Sequence, residues 1–348
     1  MNDADPKLLF HLEGMLSMAA RRLRAHVELA FPAIPALVDH YAGLLDLHFT
    51  SLGRRFTSEE LVNLRALLLG KLEEGFRASP HSMVLVRYET DSFPSVGISY
   101  AFAASPSTVA DEYAQWVASR EPPLFGKHPD NKLMHLAHGI GTPAQVPCLD
   151  IGAGTGRNSL PLARRGHAVD ALELTPDLAD VLERAAASEG LSVRVLRGSI
   201  LAPELELPAS RYGLIIAAEL TSHFRSADDL RVLFERVAES LAPEGTALIQ
   251  AFVMAEDHVP SELERQLAQV AWSTFFTHAE LSAALAGLPL ALVGDESVLD
   301  YERLHSLPEA WPPTPWYASW AAGYDAFGNH GASPPAELRW LCYRRTSR

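Results

Sequence analysis

The residues best placed to do chemistry lie in one run, Cys148-Leu149-Asp150-Ile151-Gly152-Ala153-Gly154-Thr155-Gly156-Arg157-Asn158-Ser159. An apolar segment leads into closely spaced glycines, and a helical pattern leaves them. Glycine lacks the Cβ that would hold a ligand off the backbone, and open α/β sheets bind ligands beyond the carboxyl ends of their strands. The spacing is G-x-G-x-G. The dinucleotide fingerprint G-x-G-x-x-G needs Gly or Ala at 157, where Arg157 stands. Asp150 precedes the first glycine by two positions, and Glu173 ends the next apolar run, 17 residues after Gly156. Two carboxylates favour a cationic ligand, and one with two acceptor oxygens can hold both hydroxyls of a ribose. S-Adenosylmethionine (SAM), with a cationic amine and a cationic sulfonium and no pyrophosphate, meets these requirements. An ordinary exposed strand-end acid is the alternative for Glu173.

These residues require a scaffold of alternating strands and helices, and the pattern from about 146 supplies it. Strands are expected at 146–151, 168–173, 193–196, 212–218, 246–253, 288–293 and 339–344. Helices are expected at 155–165 and 176–188, the latter with Pro176 in its first turn. Two more are capped by Ser226-Ala227-Asp228-Asp229 and Thr277-His278-Ala279-Glu280. Alternation at this spacing predicts an α/β fold, a doubly wound, mostly parallel sheet with helices on both faces. Residues 1–140 read as a mainly helical region: helices over 8–23, 37–49 and 61–76, the last started by the capping box Thr57-Ser58-Glu59-Glu60, and a hairpin of strands 83–89 and 96–103 around Ser92-Phe93-Pro94. Helices at 108–119 and 131–138 follow, and Gly139, Gly141 and Pro143 mark the expected boundary, with a domain 141–348 beyond it.

The chain has 348 residues, a formal net charge of −14 and two cysteines, Cys148 and Cys342. That charge argues against nucleic acid as a partner, and the cysteines fit neither zinc spacing nor a disulfide framework. The acidic start Met1-Asn2-Asp3-Ala4-Asp5 is unlike a signal peptide, and no apolar run spans a bilayer; a cytoplasmic protein without membrane contact is the expectation. Arg21, Arg22 and Arg24 form a small basic cluster on a segment expected to pack or to form a homodimer. His135, His138 and Asp130 lack further ligands for a metal, so none is expected.

The segment Leu149 to Glu173 resembles the SAM-binding core of class I methyltransferases. Gly156-Arg157-Asn158-Ser159-Leu160-Pro161-Leu162-Ala163 followed by Gly166-His167-Ala168-Val169 is similar to the tellurite-resistance-type branch. The likeness covers roughly 146–253 and the final strands, not 1–125. It implies a seven-stranded Rossmann-like sheet of order 3-2-1-4-5-7-6 with Trp340-Leu341-Cys342-Tyr343-Arg344 as the antiparallel last strand. It implies SAM contacts at Asp150, Gly152, Ala153, Gly154, Gly156, Glu173 and Leu174, with adenine beside Ser199 and Ile200; serine there replaces the family's usual aspartate. Residues 219–224, with Glu219 at the cofactor and His223 nearest the chemistry, would line the methyl-transfer edge.

Methyl transfer needs proximity, orientation and a dry site. A hydroxyl acceptor also wants a neutral histidine as base, and His223 is the candidate, with helix entry as its ordinary role. Arg225 and Arg157 could hold an anionic acceptor; a solvated charge and packing over the loop are their alternatives. Tyr113 and Trp116, three apart on one helix, could wall a sulfonium, and Trp316 heads an aromatic insertion at about 301–337; plain packing is the alternative for all three. A small-molecule methyltransferase with an oxygen acceptor, releasing S-adenosylhomocysteine, is the expectation. A protein methyltransferase docking through the N-terminal region, a non-catalytic SAM-binding regulator and, more remotely, an NAD-dependent oxidoreductase compete with it.

Overall fold

Val27, Leu29 and Phe31 alternate with the more exposed Glu28 and Ala30, and this period of two makes His26–Pro32 a strand, β1. The sequence analysis placed no strand before residue 83; the two-residue period lay hidden in a short apolar stretch. The structure is a computed structural model that describes residues 11, 14, 15, 26–90, 98–328 and 331–346. Most of the expected 8–23 helix, the Arg21, Arg22 and Arg24 cluster and the Ser92-Phe93-Pro94 turn lie outside the described residues. Helices α1 (Val38–Ser51) and α2 (Ser58–Ala78) follow β1. Thr57 Oγ1 accepts from the Glu60 N–H and the Glu60 carboxylate accepts from the Thr57 N–H, closing the capping box. Leu64, Leu68 and Leu72, one turn apart on α2, are fully buried with Leu45 and Phe49 of α1. Their partners are Val84, Val86 and Tyr88, alternate residues of β2 (Met83–Thr90). Antiparallel pairing of β2 with β1 and with β3 (Ile98–Ser105) completes a three-stranded sheet. The expected hairpin is thus part of a sheet, and the region is mixed rather than mainly helical.

The chain divides into two compact units, 1–109 and 110–348. The second contains helices α3 (Val109–Ser119) and α4 (Asn131–Gly139), so the boundary lies upstream of the expected 140. Leu133 and Ala137 of α4 explain the difference: they are buried in one core with Cys148, Leu162, Leu214 and Trp340. Glycine and proline at 139–143 mark a turn inside a unit, not a linker.

The second unit carries β4 (Cys148–Ile151), α5 (Ser159–Arg164), β5 (Val169–Glu173), α6 (Pro176–Ser188), β6 (Val193–Arg197) and β7 (Tyr212–Ala217). Next come α7 (Ala227–Ser240), β8 (Leu241–Met254), α8 (Glu262–Val270), the short β9 (Phe275–Phe276) and α9 (His278–Leu285). The remainder is β10 (Leu290–Ser297), α10 (Val298–His305), α11 (Tyr317–Ala321), α12 (Tyr324–Phe327) and β11 (Ala336–Arg345). The main sheet is ordered β6-β5-β4-β7-β8-β11-β10, with β9 added beside the end of β8. Pairing is parallel from β6 to β8 and antiparallel at β11 and β10. Counting the seven long strands alone, this reads 3-2-1-4-5-7-6. The inner strands are covered on both faces: β4 and β5 are buried at every residue. Helix α5 starts at Ser159 instead of the expected Thr155, because the glycines before it hold non-helical backbone. The aromatic insertion contains α10 to α12. There Glu302 accepts from the Asn131 and Lys132 N–H groups at 2.7 and 3.1 Å, capping α4, and from Trp340 Nε1 at 3.1 Å.

Candidate functional site

All three loop glycines adopt left-handed φ, +76° at Gly152, +55° at Gly154 and +93° at Gly156. Two of them have distinct duties. A Cβ on Gly156 would lie 2.4 Å from Leu182 and 2.9 Å from Leu160, so this glycine lets the loop sink against α6. A Cβ on Gly154 would instead meet the Phe125 ring at 3.5 Å, so Gly154 faces an aromatic cover across open backbone.

Glu173 ends β5 beside this loop. Its Oε2 accepts from the Gly154 N–H at 2.7 Å and its Oε1 from the Thr175 N–H at 2.8 Å. The carboxylate is therefore fixed at the carboxyl edge of the sheet, and each oxygen keeps a further lone pair. Leu174 next to it is 48% exposed, an apolar side chain at the strand end. Asp150 is buried and accepts from Ser159 Oγ at 2.6 Å. Burial raises its pKa to about 6; Ser159 and Arg157 oppose the shift, Asp130 and Glu173 add to it. After β6, the Leu201 N–H donates to Ser199 Oγ at 3.1 Å, and Ile200 is buried against the core of the sheet.

Beyond β7 the chain turns through Glu219, whose φ of +56° is uncommon for a side-chain-bearing residue. Its N–H donates to Gln250 Oε1 at 2.9 Å. Arg157 reaches its carboxylate at 2.6 Å and Asp130 at 2.6 Å, and Asn158 donates to Asp130 at 2.8 Å. Burial opposes the Arg157 charge, but Asp130 and Glu219 together hold its pKa above the usual value. Glu219 is pushed up to about 7 by burial, with Arg157 opposing and Asp130 adding. The structure thus turns Arg157 inward as the tie between the glycine loop and Glu219, its alternative role. Gln250 Nε2 and the Tyr317 hydroxyl, both deeply buried, have no hydrogen-bond partner.

Three of the candidate residues, Tyr113, Trp116 and His223, come together around one hydroxyl. Tyr113 Oη lies 3.0 Å from His223 Nε2. Its ring packs against Trp116 at 5.4 Å and Phe125 at 5.8 Å, and Trp272 stands edge-on to His223 at 4.9 Å. Burial, with Glu219 and Glu173 adding, keeps the phenol protonated. The protonated phenol can donate to Nε2 or accept from it, and the tautomer of the imidazole sets the direction of the bond. The cluster follows from local sequence: Tyr113 and Trp116 stand at i and i+3 on α3, and Thr221–His223 forms a single 3-10 turn.

Phe125 and Trp272 were missed in the sequence. Phe125 sits in a proline-rich loop whose only signal was its flanking Pro122-Pro123 and Gly126. Trp272 follows α8, a helix that was not anticipated, with φ +57° and its carbonyl accepting from Trp320 Nε1 at 2.8 Å. Arg225 and Trp316 do not join the cluster. Arg225 lines a separate crevice, and Trp316 packs on Trp320 at 5.7 Å. His135 meets Tyr301 at 2.8 Å and His138 meets Arg165. Among the described residues no group of three or more metal-ligating side chains occurs, and no helix is long and apolar enough to cross a membrane.

Residues 148–245 match the family described as methyltransferase domain. The chain carries a methyltransferase domain there. That domain spans β4 to the early part of β8, which includes the glycine loop, Glu173 and the 221–223 turn. The chain is 32% identical over 107 residues to uncharacterized proteins of Mycobacterium tuberculosis and Mycobacterium bovis, a match covering 29% of this chain and 37% of the length of those relatives. Among solved structures it is similar to a Galdieria sulphuraria protein assigned as a sarcosine dimethylglycine methyltransferase, at 18% identity and a TM-score of 0.50. That match covers 68% of this chain and 98% of the other. A geranyl diphosphate C-methyltransferase of Streptomyces coelicolor A3(2), solved with Mg2+, geranyl diphosphate and S-adenosylhomocysteine, gives 14% identity and a TM-score of 0.46, covering 70% of this chain and all of that one. The Galdieria sulphuraria structure shares a Rossmann-like fold with this chain.

Proposed function

We propose that the chain is a SAM-dependent methyltransferase acting on a small-molecule acceptor, with a hydroxyl or carboxylate oxygen taking the methyl group. The observation that carries the reading is the placement of the Glu173 carboxylate against the Gly154 N–H, at the end of the strand next to a left-handed glycine loop. That arrangement offers a ribose two acceptor oxygens beside backbone that a Cβ would obstruct. SAM fits the donor set: Asp150, Glu173 and Glu219 bring carboxylates to the loop, which attract the ammonium and sulfonium of SAM and repel a pyrophosphate. When bound, SAM supplies an electrophilic methyl group on a sulfonium, and S-adenosylhomocysteine is the product.

The residues of this chain then have separable tasks. The glycine loop and Glu173 bind, Ser199 and the Ile200 amide border the adenine, and Phe125 and Leu174 exclude water. Tyr113 and His223 act as a pair: a proton leaving an acceptor hydroxyl passes to the Tyr113 oxygen while the Tyr113 proton passes to His223 Nε2. A carboxylate acceptor bypasses that relay. His223 is thus a proton acceptor at one remove, and Trp116 and Trp272 hold the pair in a water-poor wall. The alternative of a polypeptide acceptor docked through the N-terminal unit predicts no turnover with metabolites.

Labelled SAM with a panel of hydroxylated and carboxylic acceptors tests the reading. Methyl transfer to a small acceptor, with Tyr113→Phe losing at least about tenfold in kcat on hydroxyl acceptors, is expected. Labelling of polypeptides only, with every small acceptor silent, would overturn it.

A further inference from the structure

A second crevice, about 320 Å³ in volume, opens among the start of α7, α8, β9 and α9, away from the glycine loop in sequence. Arg225, Arg265, Gln269, Thr274 and Glu280 line it. Two guanidinium groups and one carboxylate line the crevice, with Asp229 close to Arg225, and the lining carboxylate is already committed. Glu280 Oε2 accepts from the Thr277 N–H at 2.8 Å, and its Oε1 lies 3.1 Å from Arg265. Arg265 also lies over the Phe275 ring, 5.6 Å from its centre. Burial lowers the Arg225 pKa, with Asp229 opposing, so this cation has given up water. The N-terminus of α7, a 14-residue helix, adds the positive end of its macrodipole at Ser226 and Ala227.

Two polar groups in the wall point to a ligand. Thr274 is 6% exposed and its hydroxyl has no hydrogen-bond partner. Gln269 gives its amide N–H to the Arg225 carbonyl at 3.2 Å and leaves Oε1 without a donor. Native structures rarely leave buried groups in that state.

We propose that this crevice binds a small anion, a carboxylate or phosphate group held by Arg225, Arg265 and Thr274, whose own hydroxyl donates to Gln269. The site stands without the methyltransferase reading. Its walls are nevertheless the segments that carry His223 and Trp272, and the Thr274 N–H donates to the Ser222 carbonyl at 3.3 Å. A bound anion therefore braces the turn on which His223 sits.

Thermal unfolding of the full chain tests the proposal, in inorganic phosphate, malate or succinate against potassium chloride of equal ionic strength. A ligand that binds only the folded chain raises its melting temperature. Wild type is expected to gain a few degrees beyond the chloride control in phosphate or malate, with malate exceeding succinate. Arg265→Gln and Thr274→Val are expected to lose that gain while keeping wild-type affinity for S-adenosylhomocysteine, which shows them folded. A response to phosphate alone or to malate alone supports the site and names its anion. No gain beyond chloride, or equal gains in wild type and both variants, overturns it. Equal gains in malate and succinate overturn the part assigned to Gln269.

Discussion

Glu173 holds its place through two backbone N–H groups, and this fixes what its removal does. Glu173→Ala frees the Gly154 and Thr175 donors and takes two acceptors from the ribose. SAM binding is expected to weaken by about 1–3 kcal/mol, measured by calorimetry. An unchanged dissociation constant would remove Glu173 from the site. The pH dependence has a definite sign. Asp150 and Glu219 are held up, to about 6 and about 7, by burial. Both folded values exceed those of an unfolded chain, so unfolding releases protons between them. Stability of the ligand-free chain is therefore expected to fall as pH rises from about 4 to about 7. A cationic ligand selects the ionised carboxylates, so SAM affinity is expected to climb over the upper part of the same window. Asp150→Asn is expected to flatten both profiles, checked by denaturant titration and calorimetry across pH. At this scale the positions of the glycine loop, Asp150 and Glu173 were legible because they fall at the ends of two consecutive apolar strands, β4 and β5. The tie between Arg157, Asp130 and Glu219 was not, because it joins three positions far apart in sequence.

At the scale of elements, Gly156 decides how closely β4, its loop and α6 approach. Gly156→Ala combines a left-handed backbone with a Cβ 2.4 Å from Leu182. The strain alone is expected to destabilise by about 1–3 kcal/mol, and displacement of Leu182 by a similar amount; chemical denaturation checks this. The second unit's alternation from β4 to β8 was readable because buried parallel strands are continuous apolar runs and its helices carry explicit caps, such as Thr277 with Glu280. Strands β1 and β9 were missed: one is seven residues without turn signals, the other two residues made into a strand only by pairing with β8. Helix α8 was missed although Ser261 and Glu264 form a capping box, since its apolar face is narrow. Trp272, which follows it, went unplaced for the same reason.

At the scale of the molecule, every residue assigned to binding or chemistry lies between 110 and 348, one of the two compact units. The first unit has its own buried core around Leu45, Phe49, Leu64 and Leu68. A chain starting at residue 110 is therefore expected to bind S-adenosylhomocysteine within about a factor of three of the full chain, a difference under about 1 kcal/mol. A larger loss would place part of the site in the first unit. The central claim is that the loop at 152–156 receives an adenosyl sulfonium rather than a dinucleotide. Calorimetric titration of the full chain with SAM and, separately, with NAD tests it most directly, alongside the same titrations of Gly154→Arg. The account predicts saturable binding of SAM near one per chain, none of NAD, and no SAM binding in the variant. Silence toward SAM, or SAM affinity undiminished in Gly154→Arg, would contradict it.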